Sequence, residues 1–562
     1  MIVRNESHVI HELIESVAPY IDYWVIVDTG STDGTQEIVH RLMQKRGIPG
    51  ELHERPWSNF GANRSEALAL AQGHADYIWV MDADDLIVGA PDFSDLHADG
   101  YSMRIRDGQM YWRLQLFRDG IPWRYVGVLH EVAECTTPHT RQRLEGAYHI
   151  ESRRLGDRSK ESSKYARDAA ILQTEVDRHP DESRTVFYLA MSYFWAGDFA
   201  NARLWFERRA VMGGWDEEVY LSLLRTASAM ESLQQPWPEV QQAYLTAWAY
   251  RPVRAEALYA IARHYRVDGQ YQLGYLFAQL AAETPLPLDD TLFVQEDVYQ
   301  WRALDEQAVC ASWIGKSPEA FAICRRLLSQ PNIPDDDRRR IAANRDLAVP
   351  EMLGIASARM EGVAIPSEAS ADVTVTLLAG PDLSATEASI DTFMNCCLDR
   401  HLLSRFIVFY ADLSDADRTA LRDRYDFLEF IRIPVAADSV SQLDALRGHV
   451  SARYWLHVPR AWRFFAPESL ITRMLAVMEA EPAVVQFGVN LGDSPVLTGL
   501  CPPEGEVRRT PDGQRYVMAH ERISGPAMVD IVRFDSLVDA ESAFEAPGHI
   551  ATCDEVLCLA PE

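Results

Sequence analysis

Cysteine is sparse in this chain: eight among 562 residues, at positions 135, 310, 324, 396, 397, 501, 553 and 558. Their spacing suits no zinc site, and the count is too low for a disulfide scaffold. A reducing compartment is the simplest reading, so a cytoplasmic location is expected. Long apolar runs are missing too, and none approaches the roughly 18 residues of a membrane span. The start has no basic region followed by an apolar stretch, so no secretory signal peptide is expected. Basic charge is in short supply: 54 Lys and Arg face 83 Asp and Glu, a formal net charge of −29. A protein that coats nucleic acid needs Lys and Arg to neutralise phosphates. The balance therefore counts against nucleic acid and anionic membranes as partners, while leaving room for a local basic pocket around a diphosphate.

What is present is ordinary globular composition over a length that fits three or four domains. Up to about residue 135, strand and helix patterns alternate. Tyr23-Trp24-Val25-Ile26-Val27 is a β-rich apolar run ending at Asp28, and Thr29-Gly30-Ser31-Thr32-Asp33-Gly34-Thr35 then opens a helix. A polar strand over 51–55, a helix from Asn63 to Gln72 and the apolar strand Tyr77-Ile78-Trp79-Val80-Met81 follow. Such alternation predicts βαβ units and a largely parallel sheet, with ligands bound beyond the carboxyl ends of the strands. Asp28 and Asp82 both sit at such ends. Met1-Ile2-Val3 reads as the end of a first strand, which is either short or clipped. Asn63-Arg64-Ser65 matches the N-glycosylation pattern, by chance in a cytosolic protein.

From about 160 to 347 the strand signal gives way to helical periodicity. Val186, Leu189, Ala190, Tyr193 and Phe194 follow i, i+3, i+4, i+7, i+8 spacing. Gly197-Asp198-Phe199 and Asp268-Gly269-Gln270-Tyr271 break helices about two periods of a 34-residue hairpin repeat apart, with a further hairpin expected near Gln235. The region reads as a degenerate tetratricopeptide array, whose stacked hairpins form a concave binding face. Residues 348–371 read as a linker. Strands then return at 373–379, 406–412, 427–433, 454–458 and 484–490. Tyr410-Ala411-Asp412-Leu413-Ser414-Asp415 echoes the segment around Asp28, which points to a second α/β domain.

The chemistry centres on Asp82-Ala83-Asp84-Asp85. Carboxylates at i and i+2 after a strand reach one ligand where the chain leaves the sheet. Mn²⁺ or Mg²⁺ takes hard oxygen ligands and shares them with phosphate, as a nucleotide sugar's diphosphate requires. Taken alone, Asp-x-Asp is more often a solvated acidic turn. Its company matters: Asp28 upstream, Trp57 to Arg64 before the strand, Arg113 to Arg118 after it, and the pair His130-Glu131.

On Met1 to Glu6, Val27 to Thr35, Trp57 to Ala67, Asp82-Ala83-Asp84 and His130-Glu131, the chain resembles glycosyltransferase family 2, inverting enzymes of the α/β GT-A (Rossmann-like) fold. The helical segment, through Tyr188-Leu189-Ala190 and Met212-Gly213-Gly214-Trp215, resembles its tetratricopeptide-bearing branch, which includes the sublancin S-glycosyltransferase. The resemblance covers residues 1 to about 155. It implies that Asn5, Glu6 and Asp28 bind the nucleoside, that Arg64 faces the base or diphosphate, and that Asp82 contacts ribose or metal. It also implies metal ligation by Asp84, with catalysis depending on it, and by His130; a plain core or surface histidine is the alternative for His130. Glu131 is the candidate base that takes the acceptor's proton, or a carboxylate that orients His130. The arginines near Gly156, Arg158 among them, suit a loop closing on a diphosphate or a charged linker.

Asn395-Cys396-Cys397-Leu398-Asp399 and Tyr454-Trp455-Leu456-His457 resemble a second GT-A group, in which an acidic motif follows. Here Val458-Pro459-Arg460-Ala461 stands there instead, so this copy is expected to be inactive. The expected organisation is a GT-A catalytic domain (1–155), all-α tetratricopeptide-like repeats (156–347), a linker (348–371) and a degenerate GT-A-like domain (372–562). The expected activity is metal-dependent transfer of a sugar, with inversion, from a nucleotide sugar (UDP-sugar foremost) to a protein or peptide side chain. A glycan, lipid or modified phage nucleic acid is the second acceptor class, and a non-catalytic scaffold the third reading. A homodimer is compatible with the pattern.

Overall fold

A computed structural model of the chain describes residues 1–107, 109–153, 155, 164–359, 372–434, 446–497, 499–536 and 548–561. The chain divides into two compact units, residues 1–261 with 280–299 and residues 262–279 with 300–562.

The first unit opens with β1 (Ile2–Val3), α1 (Ile10–Val17), β2 (Trp24–Asp28), α2 (Thr35–Arg46) and β3 (Gly50–Glu54). The three strands pair in parallel in the order β1-β2-β3. α1 buries Ile10, Leu13, Ile14 and Val17, one stripe at helical spacing, in a core with Trp24, Ile26, Val39 and Met43. α2 ends at Gly47, whose φ of +70° lets the chain turn while its N–H satisfies the carbonyl of Gln44. α3 (Phe60–Leu70) starts at Asn59, which caps it by accepting from the N–H of Ala62.

Next come β4 (Tyr77–Trp79), β5 (Asp85–Gly89), β6 (Gly100–Asp107), β7 (Gln109–Arg118), β8 (Trp123–Val126), β9 (Val132–Cys135), β10 (Arg141–Arg143) and β11 (Tyr148–Ser152). A second sheet has the order β4-β7-β6-β11-β5, with β10 beside β6, while β8 and β9 form a separate hairpin. The largely parallel sheet expected from the sequence holds for β1–β3, while the second sheet is mixed, with β6 parallel to β10 and β11. β4 with β7, β6 with β7 and β5 with β11 are antiparallel. No helix intervenes from β4 to β11 among the described residues, so antiparallel neighbours dominate, and the two parallel pairs join strands far apart in sequence.

Helices follow: α4 (Lys164–Arg178), α5 (Ser183–Trp195), α6 (Phe199–Val211), α7 (Asp216–Ser232), α8 (Trp237–Tyr250), α9 (Glu256–Val267) and α10 (Tyr271–Glu283). α4 to α8 contact one another in succession, as hairpin repeats do. Gly197 and Gly269 take φ of +79° and +74° at the turns, and Gln234 takes +55° at the hairpin expected near Gln235.

The second unit continues with α11 (Ala303–Trp313), α12 (Ser317–Leu328), α13 (Asp335–Asp346) and α14 (Val349–Ala356). α14 lies in the stretch read as a linker. It forms because Val349, Met352 and Ala356 share one face, which is buried with Phe393 and Phe464. The strands are β12 (Val373–Leu378), β13 (Leu403–Tyr410), β14 (Leu428–Arg432), β15 (Tyr454–Val458), β16 (Arg463–Phe464), β17 (Gln486–Gly488), β18 (Arg508–Arg509), β19 (Arg515–Ala519), β20 (Ala527–Asp530), β21 (Ile550–Thr552) and β22 (Cys558–Leu559). Nine of them form one sheet, β14-β13-β12-β15-β20-β17-β21-β19-β18. Every residue of the central β12 is buried, as an interior parallel strand requires. Arg325 of α12 pairs with Glu468 and Glu555, Arg473 with Asp554, and Arg345 of α13 lies 3.7 Å from Glu555. This buried ionic cluster fastens α12 and α13 to the sheet. No described helix is long and apolar enough to cross a membrane.

Candidate functional site

The loop after β1 and the loop after β2 interlock. Asp28 ends β2 with 1% of its surface exposed. Its Oδ1 accepts the N–H groups of Gly30 and Ser31, each at 2.8 Å. Its Oδ2 is buried and has no hydrogen-bond partner among the described residues. A buried carboxylate oxygen left open costs free energy unless a ligand meets it. Asn5 takes φ of +56°, a left-handed conformation rare outside glycine. That conformation lets its N–H donate to Ser31 Oγ and its Oδ1 accept from the N–H of Thr32, both at 2.9 Å. The N–H of Glu6 donates to Thr35 Oγ1, and that of Ser7 to Asp33 Oδ2. Burial pushes the Asp33 carboxyl up, but hydrogen bonds from Thr35 and Ser7 outweigh it and hold the group at about 2. Asn5, Glu6 and Asp28 are thus brought to one place.

α3 supplies the cation. Asn63 is buried, with Oδ1 accepting the N–H of Ser58 and Nδ2 donating to the carbonyl of Pro56. This closes the turn that leads into Arg64. Gly61 lies so close to the following hairpin that a Cβ there would meet the Gly127 carbonyl at 2.4 Å. Ser65 Oγ joins the backbone of Tyr125 as acceptor from its N–H at 2.8 Å. The helix is therefore docked on the segment that carries His130-Glu131.

Arg64 bridges two carboxylates. One Nη pairs with Asp82 Oδ1, and Nε lies 2.6 Å from Glu131 Oε1. Arg113 Nη2 adds a second guanidinium, 3.4 Å from Asp82 Oδ2 and 3.7 Å from Asp85 Oδ2. Burial pushes Asp82 up, yet Arg64 and Arg113 prevail and hold its pKa at about 2. Asp85 is fully buried, and that burial, reinforced by the charge of Asp82, raises it to about 7. The Asp84 carbonyl accepts from Arg153 Nε at 3.0 Å, while the same guanidinium pairs with Glu12.

His130 takes φ of +52°. Its ring stacks on Tyr188 of α5, with centroids 4.2 Å apart and planes within 9°, and its carbonyl accepts from Arg184 Nη2 at 3.3 Å. Among the described residues, no group of three His, Cys, Asp or Glu side chains is gathered so as to hold a metal ion. Asp82, Asp84 and His130 are therefore not collected into one ligand set, because Asp82 faces guanidiniums and His130 faces an aromatic ring. Carboxylate oxygens at Asp84 and Asp82, shared with phosphate oxygens, suit a hard divalent cation by their chemistry. Arg158 lies outside the described residues.

Arg153, Arg184 and Tyr188 belong to the site without having been given a role in it from the sequence, and Asp85 and Arg113 stood in the quoted segments without a role of their own. For Arg113 a signal existed, since alternate residues of a strand share a face and its segment stood beside the acidic motif. Two cavities open in this unit. One of about 750 Å³ is lined by residues such as Trp24, Tyr77 and Trp79, and the other of about 860 Å³ by Asn59, Gly61, Tyr125 and Glu182. Neither is lined by Asp84 or Glu131.

Residues 1–89 match the family profile described as Glycosyl transferase family 2. A TPR repeat-containing protein of Synechococcus elongatus is 27% identical over 313 residues, which are 50% of this chain and 73% of that protein. Among solved structures, the Cut9-Hcn1 hetero-tetramer of APC/C is similar at 17% identity over 34% of each chain, with a TM-score of 0.25, so that this chain spans about a third of its length. A thermophilic TPR protein of Thermus thermophilus is similar at 14% identity over 32% of this chain and 91% of that one, with a TM-score of 0.24.

Proposed function

We propose that this chain is an inverting glycosyltransferase that moves a sugar from a nucleotide sugar, UDP-sugar foremost, to a protein or peptide side chain. The observation that carries the reading is the ion-paired row Asp82–Arg64–Glu131, set beyond β4, in the domain whose β2 ends at the buried, half-satisfied Asp28. The glycosyl transferase profile over residues 1–89 supports it. In this reading Asp28 Oδ2, Asn5 and Glu6 hold the nucleoside, as a buried acceptor suits the N–H of a base. Arg64 turns from Asp82 to the diphosphate when donor binds. Asp82 and Asp84 hold Mn²⁺ or Mg²⁺, which when bound supplies positive charge to the leaving diphosphate. Glu131, freed from Arg64, takes the acceptor's proton. The helical hairpins provide the acceptor face, which suits an extended polypeptide.

The C-terminal sheet supports the reading of a second, inactive copy. Its order β14-β13-β12-β15 is the order third, second, first, fourth along the chain, and β15 then pairs antiparallel with β20 as β4 does with β7. Just beyond β15, the Arg460 side chain lies over Gly380, and no carboxylate stands in Val458-Pro459-Arg460-Ala461. A non-catalytic scaffold is the second reading, favoured by the helical-repeat relative and by the closed pairing of Asp82.

Thermal-shift screening of sugar nucleotides with Mn²⁺ tests the proposal. A cognate donor at 100 times its Kd adds about 2.7 kcal/mol of stability. A flat response to every sugar nucleotide overturns it. Binding without turnover on any acceptor favours the scaffold. Transfer of labelled sugar to a lysate, followed by protease digestion, separates protein acceptors from glycans and lipids.

A further inference from the structure

The turn from Gly127 to Glu131 is held from two sides. α3 meets it through Gly61. The helical repeats meet it through Arg184 and Tyr188, successive turns of one face of α5. His130 sits in the left-handed region, which a non-glycine residue keeps only when its surroundings over-determine it. Here the surroundings are specific. Arg184 donates to the His130 carbonyl, and the Tyr188 ring covers the imidazole face to face. Arg184 in turn lies over the Tyr188 ring, 4.9 Å from its centroid, and 3.4 Å from Glu218 of α7. Glu218 is buried and also pairs with the fully buried Arg209 of α6 at 2.9 Å. The chain of contacts therefore runs from α6 and α7, through α5, to the backbone of the residue before Glu131.

We propose that Arg184 and Tyr188 are positioning residues for Glu131, so that the first helical hairpins are a working part of the transferase site. Glu131 stands 2.6 Å from Arg64 with His130 held left-handed. Relaxing His130 to an ordinary right-handed conformation redirects the next Cα–Cβ bond and takes the carboxylate off the row. A ligand that displaces α5 would thereby change the placement of the proposed base, which couples occupancy of the helical face to transfer.

This inference rests on the proposed role of Glu131, and its test separates the two. Hydrogen exchange over residues 123–135 is measured in the full-length chain for the wild type, Arg184→Met, Tyr188→Leu, the ring-preserving Tyr188→Phe, and Leu204→Ser on the exposed side of α6 as control. Donor kinetics are measured on the same samples. Arg184→Met and Tyr188→Leu are expected to raise exchange in 126–132 at least tenfold and to lower kcat at least tenfold, with the donor KM changed less than threefold. Tyr188→Phe, which keeps the ring and loses the hydroxyl, is expected to change both less than Tyr188→Leu does, and Leu204→Ser is expected to match the wild type in both. Unchanged exchange in both Arg184→Met and Tyr188→Leu overturns the positioning role, whatever the kinetics. Raised exchange with wild-type kcat overturns its catalytic consequence. If the wild type turns over no donor, the exchange result still decides the positioning role, and the functional reading alone falls.

Discussion

Arg64 Nε and Glu131 Oε1 stand 2.6 Å apart, while the same guanidinium grips Asp82 with its other end. One planar cation thus joins a carboxylate at a strand end to one on a distant hairpin. Arg64→Met should leave Asp82 to Arg113 alone and Glu131 without its cation. Donor kcat/KM is expected to fall at least 100-fold, with a stability loss of about 1–3 kcal/mol in chemical denaturation. Arg64→Lys should recover little, since a single ammonium cannot present a fork to two carboxylates. Near-wild-type kinetics in either variant would count against the row as the centre of the site.

Gly61 has no space for a side chain. A methyl group there would lie 2.4 Å from the Gly127 carbonyl, backbone against backbone. Gly61→Ala should therefore push α3 from the hairpin, costing about 1–3 kcal/mol and lowering kcat. Denaturation midpoints and donor kinetics measured together check it. A variant as stable and active as the wild type would mean that the docking is loose.

In the second unit Arg325 neutralises Glu468 and Glu555 in a half-buried cluster. Without Arg325, Glu468 and Glu555 keep the longer pairings to Arg473 and Arg345, so Arg325→Met should destabilise this unit by about 1–3 kcal/mol. Calorimetry should show one transition shifted down.

Burial holds His457 on β15 down at about 4. Its Nδ1 lies 2.9 Å from Thr376 Oγ1. The unfolded chain takes up this proton near the ordinary histidine value of about 6.5, the folded chain only near 4, so the unfolded state binds more protons between those values. Stability from this group is present above about pH 6.5 and is lost as pH falls toward 4. His457→Gln should flatten the stability profile between pH 6.5 and 5, and an unchanged slope would contradict it.

Local signals carried much of this. Asp28 and Asp82 were placed at strand ends by short apolar runs that stop at a carboxylate, and the hairpin turns by glycines and polar breaks. The mixed second sheet was not legible, because βαβ alternation ends at α3 and strand direction after it depends on long-range pairing. α14 was hidden in a stretch of linker-like composition, where three apolar residues decide the outcome. The pairing of His130 with Tyr188 joins residues 58 positions apart on elements of different type, which no spacing within either segment encodes. Asp85 looked like a third member of an acidic run, and only its complete burial sets it apart.

The central claim is that the carboxylates beyond β4 serve donor chemistry. The most direct measurement is hydrolysis and transfer of a sugar nucleotide with Mn²⁺ by the wild type and by Asp84→Ala, alongside the denaturation midpoint of each. The account predicts turnover in the wild type, loss of at least 100-fold in Asp84→Ala, and matching midpoints. Undiminished turnover in a folded Asp84→Ala protein would contradict it.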